Sequence, residues 1–192
     1  IGDAEGIVPF LILFSDTVGN SGTNVSVTTD NSNITFDKSQ PSLNTVGITS
    51  DYTNNNKARN GSVITVNFSS SEAIQNISAA ILGQVATVSN ISGNSWKSTY
   101  SPVGTETEGS VPFTISFSDN SGNSGTLVSS VTNGSSVEYD RTAPDLSGIS
   151  ISSDHTNSDY ARVGSEITIS FTSTETIEGI VAKINGKTAV IE

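Results

Sequence analysis

Displaced by 103 residues, the sequence aligns with itself without a gap, and nearly half of the overlapping positions are identical. Val8-Pro9-Phe10 falls on Val111-Pro112-Phe113, and Phe14-Ser15-Asp16 falls on Phe117-Ser118-Asp119. The turn Gly19-Asn20-Ser21-Gly22-Thr23 falls on Gly122-Asn123-Ser124-Gly125-Thr126. The same displacement carries Asp37 onto Asp140, Pro41 onto Pro144, Ala58-Arg59 onto Ala161-Arg162, Phe68 onto Phe171 and Glu72 onto Glu175. Most of the remaining positions exchange like for like. Self-similarity at a fixed period marks duplication of a structural unit, so the chain is expected to fold as successive copies of one architecture.

Proline and charge punctuate the copies. Asp37-Lys38-Ser39-Gln40-Pro41 and Asp140-Arg141-Thr142-Ala143-Pro144 read as linkers. Residues 1–41 are then the C-terminal part of one unit, 42–144 a complete unit, and 145–192 the N-terminal half of the next. Val and Ile dominate the apolar third, with Ser, Thr, Asn and Gly between them, and no stretch carries helical periodicity. That pattern predicts short strands separated by turns. In the complete unit seven strands are predicted near 43–50, 62–70, 76–82, 84–89, 94–101, 110–118 and 126–139. The sixth alternates most clearly, with Val111, Phe113, Ile115 and Phe117 on one face. Gly83 turns the third strand into the fourth, and the next copy writes that turn as Asn185-Gly186, a strong hairpin signal. The seventh is too long for a single pass, which predicts a bulge near Asn133-Gly134. Seven strands in about 100 residues suit an immunoglobulin-like β-sandwich.

Nineteen acidic and eight basic residues give a formal charge of −11. Nucleic acids and anionic membranes recruit basic surfaces, so both are expected to be excluded as partners, and divalent cations are the natural complement. The absence of Cys excludes a disulfide framework and a thiolate metal site. No apolar run approaches the roughly 20 residues that cross a bilayer, and no signal-peptide pattern opens the chain. The absence of Met, even at position 1, suggests an internal segment whose export signal and anchor lie elsewhere.

Four motifs recur in order: Asp-Lys/Arg-Ser/Thr-x-Pro, Ala-Arg-x-Gly-Ser, Phe-Ser/Thr-Ser-Ser/Thr-Glu-x-Ile, and Phe-Ser-Asp-x-x-Gly-Asn-Ser-Gly. Together they resemble the immunoglobulin-like tandem repeats of large bacterial adhesins and surface-layer proteins. The resemblance covers the whole chain. It implies a secreted cell-surface protein whose domain junctions are stiffened by calcium.

The residues themselves point to the junctions. In a seven-strand sandwich with alternating strand directions, the loops after the second and sixth strands share the end at which the chain enters from the preceding unit. Glu72, Asp119 and the linker residue Asp37 are therefore expected to converge there. Calcium takes six to eight oxygen ligands, and carboxylates brought together without a Lys or Arg repel one another unless a cation intervenes. The next junction repeats Asp140 and Glu175, and Asp16 is the corresponding residue of the first unit. Each Asp also suits the role of turn former, through hydrogen bonds to its own loop. Asp51 and Asn54, with Asp154 and Asn157, belong to the opposite pole and read as loop caps.

Catalysis has little to draw on. The sole His, His155, has Tyr52 as its counterpart, and no nucleophile elbow, phosphate loop or metalloprotease motif is present. Glu106 and Glu108, matched by Asp3 and Glu5, read as a solvated loop pair rather than a glycosidase dyad. The expectation is a non-enzymatic spacer in a fibre or adhesin stalk, with calcium at its junctions and neighbouring repeats as its partners. The alternatives are a self-assembling filament, sheath or surface-layer subunit contacting further copies, and a glycan- or protein-binding module.

Overall fold

The computed structural model describes residues 3–192 and is all-β, with sixteen strands and no helix among them. No helix is therefore long and apolar enough to cross a membrane. The chain divides into two compact units, Ile1–Arg141 and Thr142–Glu192, and the division falls inside the second linker.

In the first unit, β1 (Gly6–Ile7) pairs with β2 (Thr35–Phe36). The complete repeat follows as β3 (Leu43–Ser50), β4 (Lys57–Ala58), β5 (Ile64–Ser70), β6 (Ile74–Ile81), β7 (Gln84–Val85), β8 (Thr87–Ser92), β9 (Ser95–Tyr100), β10 (Gly109–Ser110), β11 (Phe113–Asp119) and β12 (Glu138–Tyr139). The second unit contains β13 (Leu146–Ser153), β14 (Ile167–Ser173), β15 (Lys183–Ile184) and β16 (Lys187–Thr188).

The complete repeat is sandwich-like. A four-stranded sheet in the order β3-β5-β9-β8 supplies one side of the core and a three-stranded sheet in the order β11-β6-β7 the other. Period-two alternation does the sorting. Ile64, Val66 and Phe68 of β5 point inward, as do Phe113, Ile115 and Phe117 of β11, and all six belong to one apolar cluster. Each such side chain removed from water contributes about 1.5–3 kcal/mol, which outweighs the weak preferences of the Ser and Thr residues between them.

Two predicted strands are divided in the structure. The segment 84–89 splits at Ala86: β7 stays on β6, while β8 crosses to β9 in the opposite sheet. Ala86 is small enough to be buried at that crossing, where its N–H donates to the Ala79 carbonyl at 2.9 Å. The long segment 126–139 is divided rather than bulged. Val128 bridges Ile115 of β11, whereas Thr132 N–H donates to Val46 O of β3 at 2.8 Å. Gly134 then turns the chain at φ 72°, and β12 runs antiparallel to β10 and parallel to β4. In the preceding copy the same position is Asn31, at φ 60°. Gly and Asn are the residues that tolerate this left-handed conformation most readily, so the exchange preserves the turn.

The duplication extends to strand register. Gly6↔Phe36 is repeated by Gly109↔Tyr139, and Ile12↔Val25 by Ile115↔Val128. Ser50↔Ile64 is repeated by Ser153↔Ile167, and Ile81↔Gln84 by Ile184↔Lys187. Gly125 shows why some positions are fixed: a Cβ there would lie 2.3 Å from the Phe117 ring, and one on Gly22 would lie 2.2 Å from the Phe14 ring.

Candidate metal centre at the linker

Asp119 is the last residue of β11 and is 1 % exposed. A register shift between β11 and β6 precedes it: Ser116 pairs with Ser78 but Ser118 with Gln75, so β6 carries the extra residue. Asn76 absorbs it at φ 52°, as Gly179 does at φ 66° in the next copy. Bulges of this kind bend a strand and re-aim side chains. Gln75 Nε2 donates to the Asp119 carbonyl at 2.9 Å, holding the strand end in place.

The Asp119 carboxylate organises its own turn. Asn123 donates to it twice, from N–H to Oδ1 at 2.8 Å and from Nδ2 to Oδ2 at 2.8 Å. Burial pushes its pKa up, but these Asn123 bonds, with the N–H groups of Ser121 and Gly122, outweigh burial and hold the carboxyl below its usual range. The turn-forming role is thus real, and it keeps the group ionised.

Asp37 reaches the same place from the linker. Its Oδ1 accepts Ser39 N–H at 3.0 Å, its Oδ2 accepts the Ser121 hydroxyl at 3.1 Å, and its carbonyl accepts Asn123 Nδ2 at 3.2 Å. Glu72 arrives from the loop after β5, where the Ser70 hydroxyl donates to its backbone carbonyl at 2.5 Å. Among the described residues, no hydrogen bond to the Glu72 carboxylate is found.

Asp37, Glu72 and Asp119 each place a carboxylate oxygen within 4.8 Å of the other two. Oxygens bound to one calcium at about 2.3–2.6 Å are at most about 4.6–5.2 Å apart, so one ion could touch all three. The ion pairs among the described residues, Lys57 with Glu138 and Arg141 with Glu108, include none of them.

The other expected ligands are arranged differently. Asp16 is exposed and repeats the Asp119 turn, with Asn20 donating to it at 2.8 and 2.7 Å. Those bonds, side chain first, lower its pKa. Among the described residues it joins no cluster of three carboxylates. Asp140 is exposed in the first unit, where its N–H donates to Ala58 O at 2.9 Å. Glu175 is exposed in the second unit, and the Ser173 hydroxyl donates to its carbonyl. At the opposite pole Asp51 accepts Val63 N–H at 2.7 Å and Asp154 accepts Glu166 N–H at 3.1 Å, which is loop capping.

The loop holding Glu106 and Glu108 differs from its expected solvated form. Glu106 is 4 % exposed. It accepts the Tyr100 hydroxyl and the N–H groups of Val103, Gly104 and Thr105, the latter two at 2.9 and 3.0 Å. The Tyr100 bond above all lowers Glu106 to about 2 against the opposing effect of burial, with the backbone donors adding to it, and the same bond raises Tyr100 to about 12.

Glu108 pins the linker that leaves the repeat: its Oε1 accepts Arg141 N–H at 2.8 Å. Glu5 does the same one copy earlier, accepting Lys38 N–H at 3.0 Å and the Ser39 hydroxyl at 2.8 Å. The sequence signal was available, since Glu5 and Glu108 are identical across the displacement while Asp3-Ala4 becomes Glu106-Thr107. Lys38 and Ser39 are thus held by the preceding copy, and Asp37 by the following one. The chain matches no protein family model, no curated protein and no solved structure.

Proposed function

We infer that this chain is a segment of a secreted bacterial surface fibre or adhesin stalk, built of tandem immunoglobulin-like sandwiches and stiffened by calcium where they meet. The observation that carries this reading is the convergence of Asp37, Glu72 and Asp119 from a linker, an inter-strand loop and a strand end, without a basic partner among the described residues. Carboxylates so placed repel one another as their charges develop, and a bound cation would offset that repulsion. A bound ion would join the linker to two loops of the next sandwich, limiting the bend between them.

The sheet orders support the immunoglobulin-like part. Numbering the seven predicted strands in order, the first, second, fifth and fourth share one sheet, while the third and sixth pair in the other, as such sandwiches require. The hydrogen bonds that Lys38 N–H and the Ser39 hydroxyl donate to Glu5 support the mechanical part, because they fix the linker to the preceding copy whether or not an ion is present.

Calorimetric titration with calcium tests the reading. The wild-type chain is expected to show saturable binding that Glu72→Gln abolishes. Glu72 is the informative ligand because its carboxylate has no turn to support, so its loss leaves the fold intact. A titration without saturable heat removes the calcium centre.

A further inference from the structure

The chain contains three Asn-Gly pairs, Asn60-Gly61, Asn133-Gly134 and Asn185-Gly186. In such a pair the glycine nitrogen, with no Cβ beside it, is a nucleophile within reach of the asparagine side-chain amide carbon. The fold treats the three pairs differently. Asn133 and Gly134 are exposed to water. Asn133 Oδ1 accepts Ser135 N–H at 3.1 Å and the Ser135 hydroxyl at 2.7 Å, so two donors polarise the amide carbonyl. Among the described residues no hydrogen bond is found for Gly134 N–H, which leaves that nitrogen open to solvent base. Asn60 Oδ1 is also polarised, by the Tyr139 hydroxyl, but Gly61 N–H is engaged with Pro102 O at 2.9 Å. Asn185 has φ 48°. In that left-handed conformation ψ is about +47°, which sets the Gly186 nitrogen anti to Cβ, away from the amide carbon it would attack.

The preceding copy shows what this turn accepts. Its residues at the positions of Asn133 and Gly134 are Asp30 and Asn31. Asp30 Oδ1 accepts Ser32 N–H at 3.0 Å, as Asn133 does from Ser135, and Asn31 takes φ 60° where Gly134 takes 72°. The turn therefore holds a carboxylate at its first position and a side chain at its second.

We propose that Asn133 is a site of spontaneous covalent modification, its amide displaced by Gly134 N and the resulting succinimide opened by water. Gly134 N gives up its proton and bonds to Asn133 Cγ, while the two Ser135 donors hold the negative charge that develops on Oδ1. The Cγ–Nδ2 bond then breaks, and ammonia leaves with a proton. Water adds to one of the two ring carbonyls, giving aspartate or isoaspartate. Aspartate keeps the turn, as Asp30 does. Isoaspartate adds a main-chain carbon within the segment that closes the edge of β3, where Val46 N–H donates to Thr132 Oγ1 at 2.9 Å and Ile48 N–H to Ser135 Oγ at 2.8 Å. Those two bonds lie on either side of the lengthened link and are no longer made together, so the complete repeat loses stability as the protein ages. None of this depends on calcium.

Peptide mapping by mass spectrometry, on the wild-type chain stored in mildly alkaline buffer, follows the three sites in one sample. The expected result is conversion at Asn133 severalfold faster than at Asn60 or Asn185, with isoaspartate among the products. In denaturant the three rates are expected to converge, because the order is set by the fold. Gly134→Asn copies the pair found at position 31 and so keeps the turn. It is expected to slow conversion at Asn133 severalfold, since its side chain crowds the attacking nitrogen, and to leave the unfolding transition seen by Trp96 in place. The stored wild-type chain is expected to acquire a lower-melting fraction that fresh Asn133→Asp protein does not show. Conversion at Asn60 or Asn185 as fast as at Asn133 in the folded chain overturns the proposal, as does a wild-type rate in Gly134→Asn.

Discussion

Ile115 and Ile12 make the same strand bridge in two copies of one unit, to Val128 and Val25, but Ile115 is 0 % and Ile12 is 52 % exposed. Truncating each to Ala therefore separates burial from local geometry. Ile115→Ala removes three buried carbons, which at about 0.8 kcal/mol per methylene amounts to about 2.4 kcal/mol. The cavity left between β5 and β11 raises the loss into the range of about 2–5 kcal/mol. For a sandwich of this size each kcal/mol moves the melting temperature by about 4–8 °C, so a fall of about 10 °C or more is expected. Ile12→Ala is expected to stay within about 0.5 kcal/mol. Trp96 is the sole tryptophan and packs against the core of the complete repeat, so its fluorescence during heating reports that repeat. The comparison is made at concentrations where the chain is monomeric. Equal losses for the two variants, or a change below about 3 °C for Ile115→Ala, would refute the assignment of the core to 42–141.

Gly125→Ala is expected to lower the same Trp96 transition, because the new methyl group must displace the Phe117 ring, whereas Gly122→Ala is strained by its φ of 93° and meets no neighbour. High-resolution structures of the two variants will show a moved ring only in the first. Acid sensitivity is expected to follow Glu106. Its pKa falls from 4.5 to about 2 on folding, so its stabilising effect is complete above about 4.5 and is lost as pH falls towards 2. Glu106→Gln is expected to be less stable at neutral pH and to show a flatter dependence of melting temperature over that acid window. A variant with the wild-type acid slope contradicts the role given to the Tyr100–Glu106 contact.

The repeat and strand alternation made much of the fold legible, because period-two patterns such as Phe113, Ile115 and Phe117 respond to burial alone. The divided strands were harder to read. Nothing in Val85-Ala86-Thr87 distinguishes a strand that continues from one that crosses to the other sheet, since the choice depends on which partner, β6 or β9, has a free edge. The Asn-for-Gly exchanges at 31 and 134 and at 76 and 179 were informative in hindsight, for they mark left-handed turns that only backbone angles reveal. The acidic residues that meet were placed by strand direction, a topological inference that needs no side-chain detail. Glu106 and Glu108 escaped the same logic, because a carboxylate whose partners are mainly backbone N–H groups resembles a solvated one in sequence.

The central claim is that a cation joins the linker to the sandwich that follows it. An ion bound only by the folded form raises stability by RT ln(1 + [L]/Kd), about 2.7 kcal/mol at a hundredfold excess over Kd. The decisive measurement is the melting temperature of the wild-type chain and of Glu72→Gln, each in excess calcium and in chelator. The account predicts a rise of about 10 °C or more with calcium for the wild type, from the scaling of about 4–8 °C per kcal/mol, and none for Glu72→Gln. Superimposable wild-type curves in calcium and chelator would contradict it.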